Sequence, residues 1–318
     1  MNKTRLSGHA AALLCAVIWG TTFISTKVVL VFFTPLEILV IRFVLGYLLL
    51  WLIRPEKLEW QGFEREKDLA LAGVFGISLY YLAENYALEY SSAGNVSLIV
   101  STAPFFIVLM FRIMKESDEK LTPWFFMGFV MAISGIAMMN FSGSGFSFNP
   151  AGDLLALLGA FLWGIYSVFI RRASACGYDT IVLTRRTFFY GLLVLIPVSF
   201  ITGFDISLSD FASAGVTFNV LYLGLGASAV CFAVWNHAIK ALGALTSGVY
   251  IYLVPAITVV FSYFFLSEEI TPAVAIGTVL VIAGLFLSER KGKKRYGSCR
   301  TLLVISEVLK SNRKYPWR

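Results

Sequence analysis

The sequence predicts an all-α polytopic membrane protein whose ten transmembrane helices form two inverted five-helix repeats. The first observation is composition, since 58% of the residues are hydrophobic and only 14% are charged, whereas soluble domains are about 45–50% apolar and about 25% charged. The second is internal repetition, because Trp19-Gly20 returns as Trp163-Gly164. Asn85-Tyr86-Ala87 likewise returns as Asn236-His237-Ala238. Repetition of this kind indicates two copies of one structural unit.

Ten apolar segments supply the predicted helices, since about 20 mostly apolar residues cross the hydrocarbon core of a bilayer. They lie at about 9–31, 35–53, 69–88, 94–112, 122–140, 152–170, 179–201, 214–239, 244–266 and 272–288. Residues 1–145 hold the first five, residues 146–290 hold the second five, and 291–318 form a basic tail. Because five is odd, the second copy enters the membrane from the opposite side, as in inverted-repeat transporters.

Individual segments carry further signals. The first follows Lys3 and Arg5, but it is too long for a signal peptide and lacks a cleavage site, so we expect it to remain as a span. The fourth and ninth carry Pro104 and Pro255 near their midpoints, where proline interrupts helical hydrogen bonding. The fifth and tenth carry small residues spaced for close helix contact, namely Gly128, Ala132, Gly135, Ala273, Gly277 and Gly284. This contact is expected either between the repeats or between the protomers of a homodimer.

The loops on one side of the predicted bundle carry Lys and Arg, and the loops on the other side carry none. The positive side includes Arg54, Arg112, Arg171 and Lys240. The opposite side holds Glu89, Asp205, Asp210, Glu268 and Glu269. Because cytoplasmic loops are enriched in Lys and Arg, we expect a multi-pass protein of the cell membrane with both termini in the cytoplasm. The net charge of +7 then reflects topology, and no nucleic-acid partner is expected.

A few ionisable residues fall within predicted spans, where charge is costly and marks a pathway or a partner. Those predicted to act in gating or coupling are Lys27, Arg42, Glu84, Arg186 and His237. Arg42 and Glu84 both lie about 10 Å below the outer face at a rise of about 1.5 Å per residue. We expect them to pair, either as a structural latch or as the outer gate of a pathway. Arg186 repeats Arg42 near the inner face without an evident acidic partner, so it is expected to meet a substrate carboxylate or phosphate or to extend to the inner interface.

Polar and aromatic residues cluster towards the middle of the predicted bundle, where inverted-repeat transporters bind their substrates. Hydroxyls, amides and aromatic rings suit a small amphipathic ligand, although ordinary helix packing uses the same residue types. The predicted substrate cavity consists of Trp19, Thr22, Asn85, Ser101, Pro104, Trp163, Tyr166, Asn236, Tyr250 and Pro255.

One set of motifs covers about residues 9–289 in a fixed order. The set is Trp19 to Phe23, Arg42-Phe43, Asn85 to Leu88, Ala93 to Pro104 with its copy Ala244 to Pro255, and the stretch from Glu268 through Gly284. With these motifs in this order, the chain resembles the EamA-like branch of the drug/metabolite transporter superfamily. The resemblance implies ten helices in two inverted repeats around a central cavity, faced by Trp19, Trp163, Asn85 and Tyr250. The resemblance also implies a transporter that exports or exchanges amino acids, metabolites or drugs, as members of this family do. The adjacent Arg185-Arg186 departs from the pattern and weighs against a simple neutral substrate.

The predicted function is secondary active transport of a small amino-acid-like or amphipathic metabolite by alternating access, in export or exchange. Glu84 and His237 are the candidates for proton coupling, because their surroundings can tune when they bind a proton. An anionic metabolite held by Arg186 is one alternative. A membrane receptor or scaffold without a transport cycle is another.

No catalytic residue, cofactor or metal site is predicted. Gly224-Leu225-Gly226-Ala227-Ser228-Ala229 matches a dinucleotide-binding pattern, but that pattern needs a preceding strand, and here it lies inside an apolar segment. The cysteines lack metal-ligand spacing and are expected to be reduced thiols. They are Cys15, Cys176, Cys231 and Cys299. An enzyme is therefore not expected.

Overall fold

The computed structural model describes residues 3–57, 60, 62–116, 121–141, 149–174, 179–242 and 247–288. Over these residues all regular secondary structure is helical. The predicted basic tail, 291–318, lies outside the described residues.

The helices are labelled α1 to α10 in chain order, and a π or 3-10 segment within a helix keeps that helix's label. The first half contains α1 Lys3–Val29, α2 Pro35–Ile53, α3 Phe63–Ala72 continued by a π segment Gly73–Leu79 and by Tyr80–Tyr90, α4 Ala93–Val100 and Ala103–Ile113, and α5 Pro123–Phe141. The second half contains α6 Pro150–Ser174, α7 Thr180–Thr202, α8 Ala214–Leu221 continued by a π segment Tyr222–Val230 and by Cys231–Leu242, α9 Val249–Leu253 (3-10) and Val254–Leu266, and α10 Pro272–Ser288.

Most of these helices are built to cross a membrane. By length and composition, seven of the described helices could span one: Thr4–Val29, Pro35–Ile53, Ala93–Ile113, Pro150–Ser174, Thr180–Thr202, Ala214–Ile239 and Val249–Leu266. Two shorter apolar helices cover Pro123–Met139 and Pro272–Ser288. The predicted third span, 69–88, falls in α3, which its π segment interrupts. Together the helices identify a polytopic membrane protein.

Large apolar side chains cover the outside of the bundle. Val130 on α5 is 63% exposed, Ile201 on α7 is 84% exposed and Phe264 on α9 is 71% exposed. Extensive apolar surface of this kind marks contact with a membrane or a partner rather than with water. The hydrophobic excess of the sequence is therefore placed where lipid would solvate it.

Local sequence signals explain where several helices begin and end. The Thr34 hydroxyl accepts the Glu37 amide at 3.3 Å, and the Glu37 carboxylate accepts the Thr34 amide at 2.8 Å, which is a capping box at the start of α2. Ser92 caps α4, and Asp179 caps α7. Gly203 ends α7 with φ of 91°, a left-handed conformation that glycine adopts without steric cost.

The two halves carry the same irregularities at corresponding positions. Both α3 and α8 contain a π segment. When the π segment of α3 is shifted along the chain by the separation between Asn85 and Asn236, it coincides with the last part of the π segment of α8. The α4 helix is broken just before Pro104, and α9 begins with a 3-10 turn just before Pro255. Proline lacks the amide proton that would continue a helix, so both breaks follow from the repeated prolines.

Helices α5 and α10 approach each other closely and run antiparallel. A Cβ on Gly128 would lie 2.4 Å from the Gly284 carbonyl oxygen, and a Cβ on Gly135 would lie 2.6 Å from the Gly277 carbonyl oxygen. The earlier glycine of α5 contacts the later glycine of α10, and the later one contacts the earlier one, so the two helices are antiparallel. The glycines of α5 and α10 thus contact each other within one chain, because small residues let helix backbones approach closely.

Buried apolar clusters join the two halves. One contains Phe23, Leu88 and Leu162, which belong to α1, α3 and α6. Another contains Phe43 of α2 and Phe188 of α7, whose rings meet edge to face with centroids 5.0 Å apart. The candidate site lies beside this second cluster, where α2, α3 and α8 converge.

Candidate functional site

Arg42 on α2 and Glu84 on α3 are buried, with 3% and 4% exposure. Arg42 donates through Nε to Ser228 Oγ at 2.8 Å, and its Cζ lies 4.5 Å from the centre of the Tyr81 ring. Glu84 accepts a hydrogen bond from the Tyr80 hydroxyl. Among the described residues the expected Arg42–Glu84 ion pair is not formed. Each charge takes a hydroxyl partner instead, and the burial of both residues agrees with the depth expected from the sequence.

The predicted aromatic residues of the cavity pair across the two halves. Trp163 on α6 lies 4.7 Å from Tyr80 and 4.7 Å from Tyr166 between ring centroids. Trp19 on α1 lies 5.0 Å from Trp235 on α8. Each repeated tryptophan thus contacts a helix of the other half, and Trp163 with Tyr166 stands beside the hydroxyl that holds Glu84.

The glycine of each Trp-Gly motif has a packing role. A Cβ on Gly20 would lie 2.6 Å from Ile257 Cγ2, and a Cβ on Gly164 would lie 2.9 Å from the Phe106 backbone. Glycine therefore lets α1 approach α9 and α6 approach α4, just beyond the helix breaks. The motif combines a close glycine contact with an aromatic ring, and in Trp163-Gly164 that ring contacts Tyr80 beside Glu84.

Other predicted cavity residues serve the backbone. Thr22 and Ser101 each donate their hydroxyl at 2.6 Å to the carbonyl three positions earlier. Pro104 and Pro255 start the second segments of α4 and α9. These four residues shape their own helices in this structure, as helix packing alone would require.

Of the two repeated asparagines, the structure describes the side chain of Asn85. Asn85 is fully buried and donates through Nδ2 to the Pro35 carbonyl at 3.1 Å, which joins α3 to the start of α2. Its Oδ1 atom is buried and has no hydrogen-bond partner among the described residues. The side chain of Asn236 lies outside the described part of the structure.

Two predicted residues of the second half contact the beginning of α1. Tyr250 shares a hydrogen bond of 2.8 Å with His9 Nδ1, and His237 Nε2 lies 3.2 Å from Ser7 Oγ. His237 is exposed. The structure therefore groups Tyr250 and His237 with the first turns of α1, and not with Arg42 and Glu84.

Arg186 has an acidic partner that the sequence did not reveal. Its Nε donates to Glu66 Oε1 at 2.7 Å, and the Tyr190 hydroxyl donates to the same oxygen. Arg186 lies on α7 in the second half and Glu66 on α3 in the first. The expectation of an unpaired Arg186 is therefore wrong. Glu66 was missed because it stands in a charged run that looks solvated, although it precedes the buried Leu69 by one helical turn.

Further ion pairs join the halves at the same end of the bundle. Arg172 on α6 donates through Nε to Glu116 at 2.7 Å, and its Nη1 lies 3.9 Å from Asp68. Burial raises the pKa of Asp68, which precedes the apolar part of α3, and the charge of Arg172 opposes that rise. In these ion pairs between halves the first half supplies the acids and the second half supplies the arginines.

Arg185 is bound to the backbone. It is buried, with 7% exposure, and its two terminal nitrogens donate to the carbonyls of Arg54 and Glu56, just beyond α2. A cation is favourable where helix carbonyls lack partners. The departure of Arg185-Arg186 from the family pattern is thus accounted for by protein partners for both side chains.

The opposite end of the bundle is held through backbone groups. Lys27 donates to the carbonyls of Leu88 and Ser91 at the end of α3. Glu268, in the loop before α10, accepts the first two backbone amides of α4 at 2.8 and 3.1 Å. Carboxylates suit a helix start and cations suit a helix end. Lys27, predicted as a gating residue, is therefore placed as a helix cap in this structure.

Ser228 was missed in a different way. It belongs to the glycine-containing stretch that matched a dinucleotide-binding pattern, and it lies in the π segment of α8. Its hydroxyl donates to the Leu223 carbonyl at 2.8 Å while it accepts from Arg42. Within the described chain no group of three or more His, Cys, Asp or Glu side chains could hold a metal ion.

Comparison with known proteins agrees with this architecture. The model of the EamA-like transporter family matches residues 6–141 and again residues 150–290. A protein of Archaeoglobus fulgidus described as an uncharacterized transporter is 29% identical over 299 residues, which cover 89% of this chain and 97% of that protein. A probable terminal-alkyne amino-acid exporter of Streptantibioticus cattleyicolor is 30% identical over 241 residues, covering 74% of this chain and 78% of the relative.

A solved crystal structure shares the fold, with a TM-score of 0.60, 21% identity, and coverage of 90% of this chain and 97% of the other. The family model covers most of the chain, and the resemblance seen in the sequence is confirmed. The chain is a transporter and belongs to the EamA-like family of the drug/metabolite transporter superfamily.

Proposed function

We propose that the chain is a secondary active transporter that moves a small amino-acid-like metabolite across the cytoplasmic membrane by alternating access, in export or exchange. The observation that carries this proposal is the crossing of α5 and α10. Gly128 and Gly135 of the first half correspond in sequence to Gly277 and Gly284 of the second. A transporter built from two related halves can present its site to either side by rocking one half against the other.

The glycine contacts support a two-fold relation between the halves. Gly128 meets Gly284 and Gly135 meets Gly277, so exchanging the two halves turns one contact into the other. This exchange is the signature of a two-fold interface. Because α5 and α10 are antiparallel, the proposed axis lies in the membrane plane, which supports ten spans in two inverted repeats, 1–145 and 146–290.

Contacts that could alternate occur at both ends of the bundle. At one end, Arg172 and Arg186 of the second half bind acids of the first half. At the other end, Glu268 of the second half binds the first amides of α4. We assign the arginine-rich end to the cytoplasm, because Lys and Arg favour that side. Both termini are then cytoplasmic, which a reporter fused at either terminus would check.

The substrate class is proposed from one relative and from the candidate site. The relative from Streptantibioticus cattleyicolor is named an amino-acid exporter, which supports an amino-acid-like substrate and export here. The alternative of an anionic metabolite relied on an unpaired Arg186. Its pairing with Glu66 removes that support.

The remaining partners are proposals as well. The proposed coupling ion is a proton carried by Glu84, because this carboxylate is buried, whereas His237 is exposed. Lipid is the proposed partner of the exposed apolar surfaces of α5, α7 and α9. A homodimer through the same surfaces is an alternative that chemical crosslinking in native membranes would detect.

The transport proposal is tested with the purified full-length chain in proteoliposomes. Vesicles are loaded with unlabelled leucine or with other amino acids, nucleosides, sugars or cationic drugs, and uptake of the matching labelled compound is followed. We expect labelled leucine to accumulate only in leucine-loaded vesicles that contain the protein. Accumulation equal to that in protein-free vesicles for every compound would contradict the proposal.

A further inference from the structure

We propose that Arg42 and Glu84 bind the substrate directly, and that the site takes a zwitterionic α-amino acid with an apolar side chain. The substrate carboxylate would bind Arg42, and its ammonium group would bind Glu84. This assignment rests on the proposed transport function and names the substrate class of the same site. It replaces the idea that the two residues only hold each other as a latch.

The guanidinium of Arg42 has donors to spare. Arginine carries five N–H donors, yet among the described residues Arg42 uses only its Nε–H, on Ser228. No described acceptor is within hydrogen-bond reach of its two terminal nitrogens, and its exposure is only 3%. A buried charge with few hydrogen-bond partners is unfavourable. A carboxylate, which arginine can bind through two parallel hydrogen bonds, would satisfy it.

The carboxylate of Glu84 is also incompletely bound. A carboxylate accepts about four hydrogen bonds, and in the described structure Glu84 accepts one, from Tyr80. Among the described residues Arg42 and Glu84 form no ion pair with each other. The Tyr81 ring lies under the Arg42 guanidinium and 4.7 Å from the Tyr80 ring, measured between centroids. The site thus offers a positive and a negative group that are held apart.

This charge pattern selects a zwitterion. A ligand with one charge would satisfy Arg42 or Glu84 and leave the other buried charge incompletely bound, which is costly. An α-amino acid carries both charges and is neutral overall. Tyr80 and Trp163, 4.7 Å apart, add aromatic faces that attract an ammonium group.

The surroundings also favour an apolar side chain. The side chains that line the closely packed gap between α2 and α8 beside Arg42 are apolar, namely Ile38, Ile41, Val220 and Leu223. Burial of an aliphatic group against such walls is favourable by the area removed from water. Polar or charged amino-acid side chains would lose hydration there without gaining partners.

Both halves contribute to the site. Arg42 and Glu84 come from the first half, and Ser228 and Trp163 come from the second. Ser228 lies within one π segment, and Tyr80 directly follows the other. Interrupted helices at substrate sites are a feature of transporters that rock one half against the other. A ligand bound here would therefore respond to relative movement of the halves.

Three matched ligands test the proposal on the purified full-length protein: leucine, isopentylamine, which lacks the carboxylate, and 4-methylpentanoate, which lacks the amine. Affinities are taken from thermal-shift titrations. We expect leucine to bind at least about tenfold more tightly than either analogue, as the loss of a hydrogen bond to a charged group implies. Absent leucine binding, or equal binding of all three ligands, would overturn the proposal.

Variants assign the two charges. Glu84→Gln is expected to weaken leucine binding about tenfold or more and to leave 4-methylpentanoate unchanged. Arg42→Gln is expected to weaken leucine to the same degree and to leave isopentylamine unchanged. Arg42→Lys keeps the positive charge and should retain the preference for leucine over isopentylamine, which guards against misfolding of the glutamine variant. Equal losses for all three ligands in both glutamine variants would show a structural role and reject the assignment.

A matched control is available at the outer end of the bundle. Glu37 is a buried carboxylate that accepts the Thr34 and Asp205 amides at 2.8 and 3.1 Å, and Glu37→Gln should leave the ligand ranking unchanged. Transport separates the two proposals. If proteoliposomes exchange leucine but the three ligands bind alike, only the residue assignment fails, whereas absence of exchange for every compound removes the transport function itself.

Discussion

Adjacent arginines on α7 have different roles because a helix turns about 100° per residue. Arg185 is buried and donates to two backbone carbonyls beyond α2, while Arg186 is partly exposed and pairs with Glu66. The first ties α7 to a loop of the other half by bonds that need no acid. The second forms an ion pair that can break and re-form as the halves move. We therefore expect Arg185 to matter for stability and Arg186 for the transport cycle.

Arg185→Gln should lower the free energy of unfolding by about 2 kcal/mol, since it removes two charge-assisted hydrogen bonds from a buried position. Transport per folded molecule should be unchanged. Thermal unfolding in detergent and leucine exchange normalised to folded protein measure the two effects. The exposed Arg171 on α6 provides a control, because Arg171→Gln should change neither. A fall in normalised transport would place Arg185 in the pathway.

Glu84→Gln should remove the dependence of transport on an imposed pH gradient, because amide and carboxylate have similar shapes but the amide binds no proton in this range. Tyr80 on the same helix donates a hydrogen bond to Glu84, and the Tyr81 ring contacts both the Tyr80 ring and the Arg42 guanidinium of α2. The residual leucine flux is measured with and without a pH gradient across the vesicle membrane. Full pH dependence in the variant would remove Glu84 from proton coupling.

At the scale of elements, close contacts between helices of the two halves involve the irregular segments of the chain. The π segments of α3 and α8 each contain a glycine pressed against the other half. A Cβ on Gly73 would lie 2.7 Å from the Thr187 carbonyl oxygen, and one on Gly224 would lie 2.7 Å from Leu45 Cβ. π segments are frequent at functional sites. Here the one in α8 contains Ser228, which binds Arg42, and the one in α3 ends next to Tyr80, which binds Glu84.

Gly135→Ala should destabilise the crossing of α5 and α10 by about 1–3 kcal/mol, the usual cost of overpacking. The new methyl group would lie 2.6 Å from the Gly277 backbone oxygen, and backbone cannot move aside as a flexible side chain can. Gly215→Ala on α8 is the control, since its Cβ would meet only Ser213 Oγ at 3.7 Å. Thermal unfolding compares the two variants. Equal stability of both would mean that α5 and α10 do not depend on this contact.

At the scale of the whole molecule, the ends of the bundle are held by different chemistry. Ion pairs between Arg172, Arg186 and acids of the first half hold the proposed cytoplasmic end. Carboxylates on backbone amides and Lys27 on backbone carbonyls hold the other end. Ion pairs near a surface weaken with added salt. Opening of the proposed cytoplasmic end should therefore be easier at higher ionic strength.

Arg172→Ala combined with Arg186→Ala should favour opening of that end. Cys15 on α1 and Cys231 on α8 are fully buried and touch each other's carbonyls at 3.4 and 3.9 Å, so they report separation of the two helices. In a background with Cys176→Ser and Cys299→Ser, N-ethylmaleimide should label the double variant several-fold faster than the parent. Lys67→Ala, which removes an exposed lysine whose ion pair with Glu64 lies within α3, should not change the rate. Equal labelling of the double variant and the parent would show that these ion pairs do not restrain the opening.

The helical architecture was predictable, and the partners at the site were not. The apolar segments, the breaks at Pro104 and Pro255 and the burial of Arg42 and Glu84 follow from hydropathy and the helical rise, and the structure agrees. The partners of the charges differ from expectation. Arg42 binds Ser228 at a separation of 186 residues, and Arg186 binds Glu66 at a separation of 120. Only packing between distant helices brings such pairs together.

The sequence by itself determined that this is a helical membrane protein of the EamA-like transporter family, because hydropathy, proline breaks and repeated motifs are properties of short stretches of chain. The number of spans and their inversion remain predictions that the antiparallel glycine crossing supports. The tertiary structure alone decided which charges are paired and which keep free hydrogen-bonding capacity. Rotation of each helix about its axis sets the direction of a side chain, and that rotation is fixed by contacts with helices far away in the sequence.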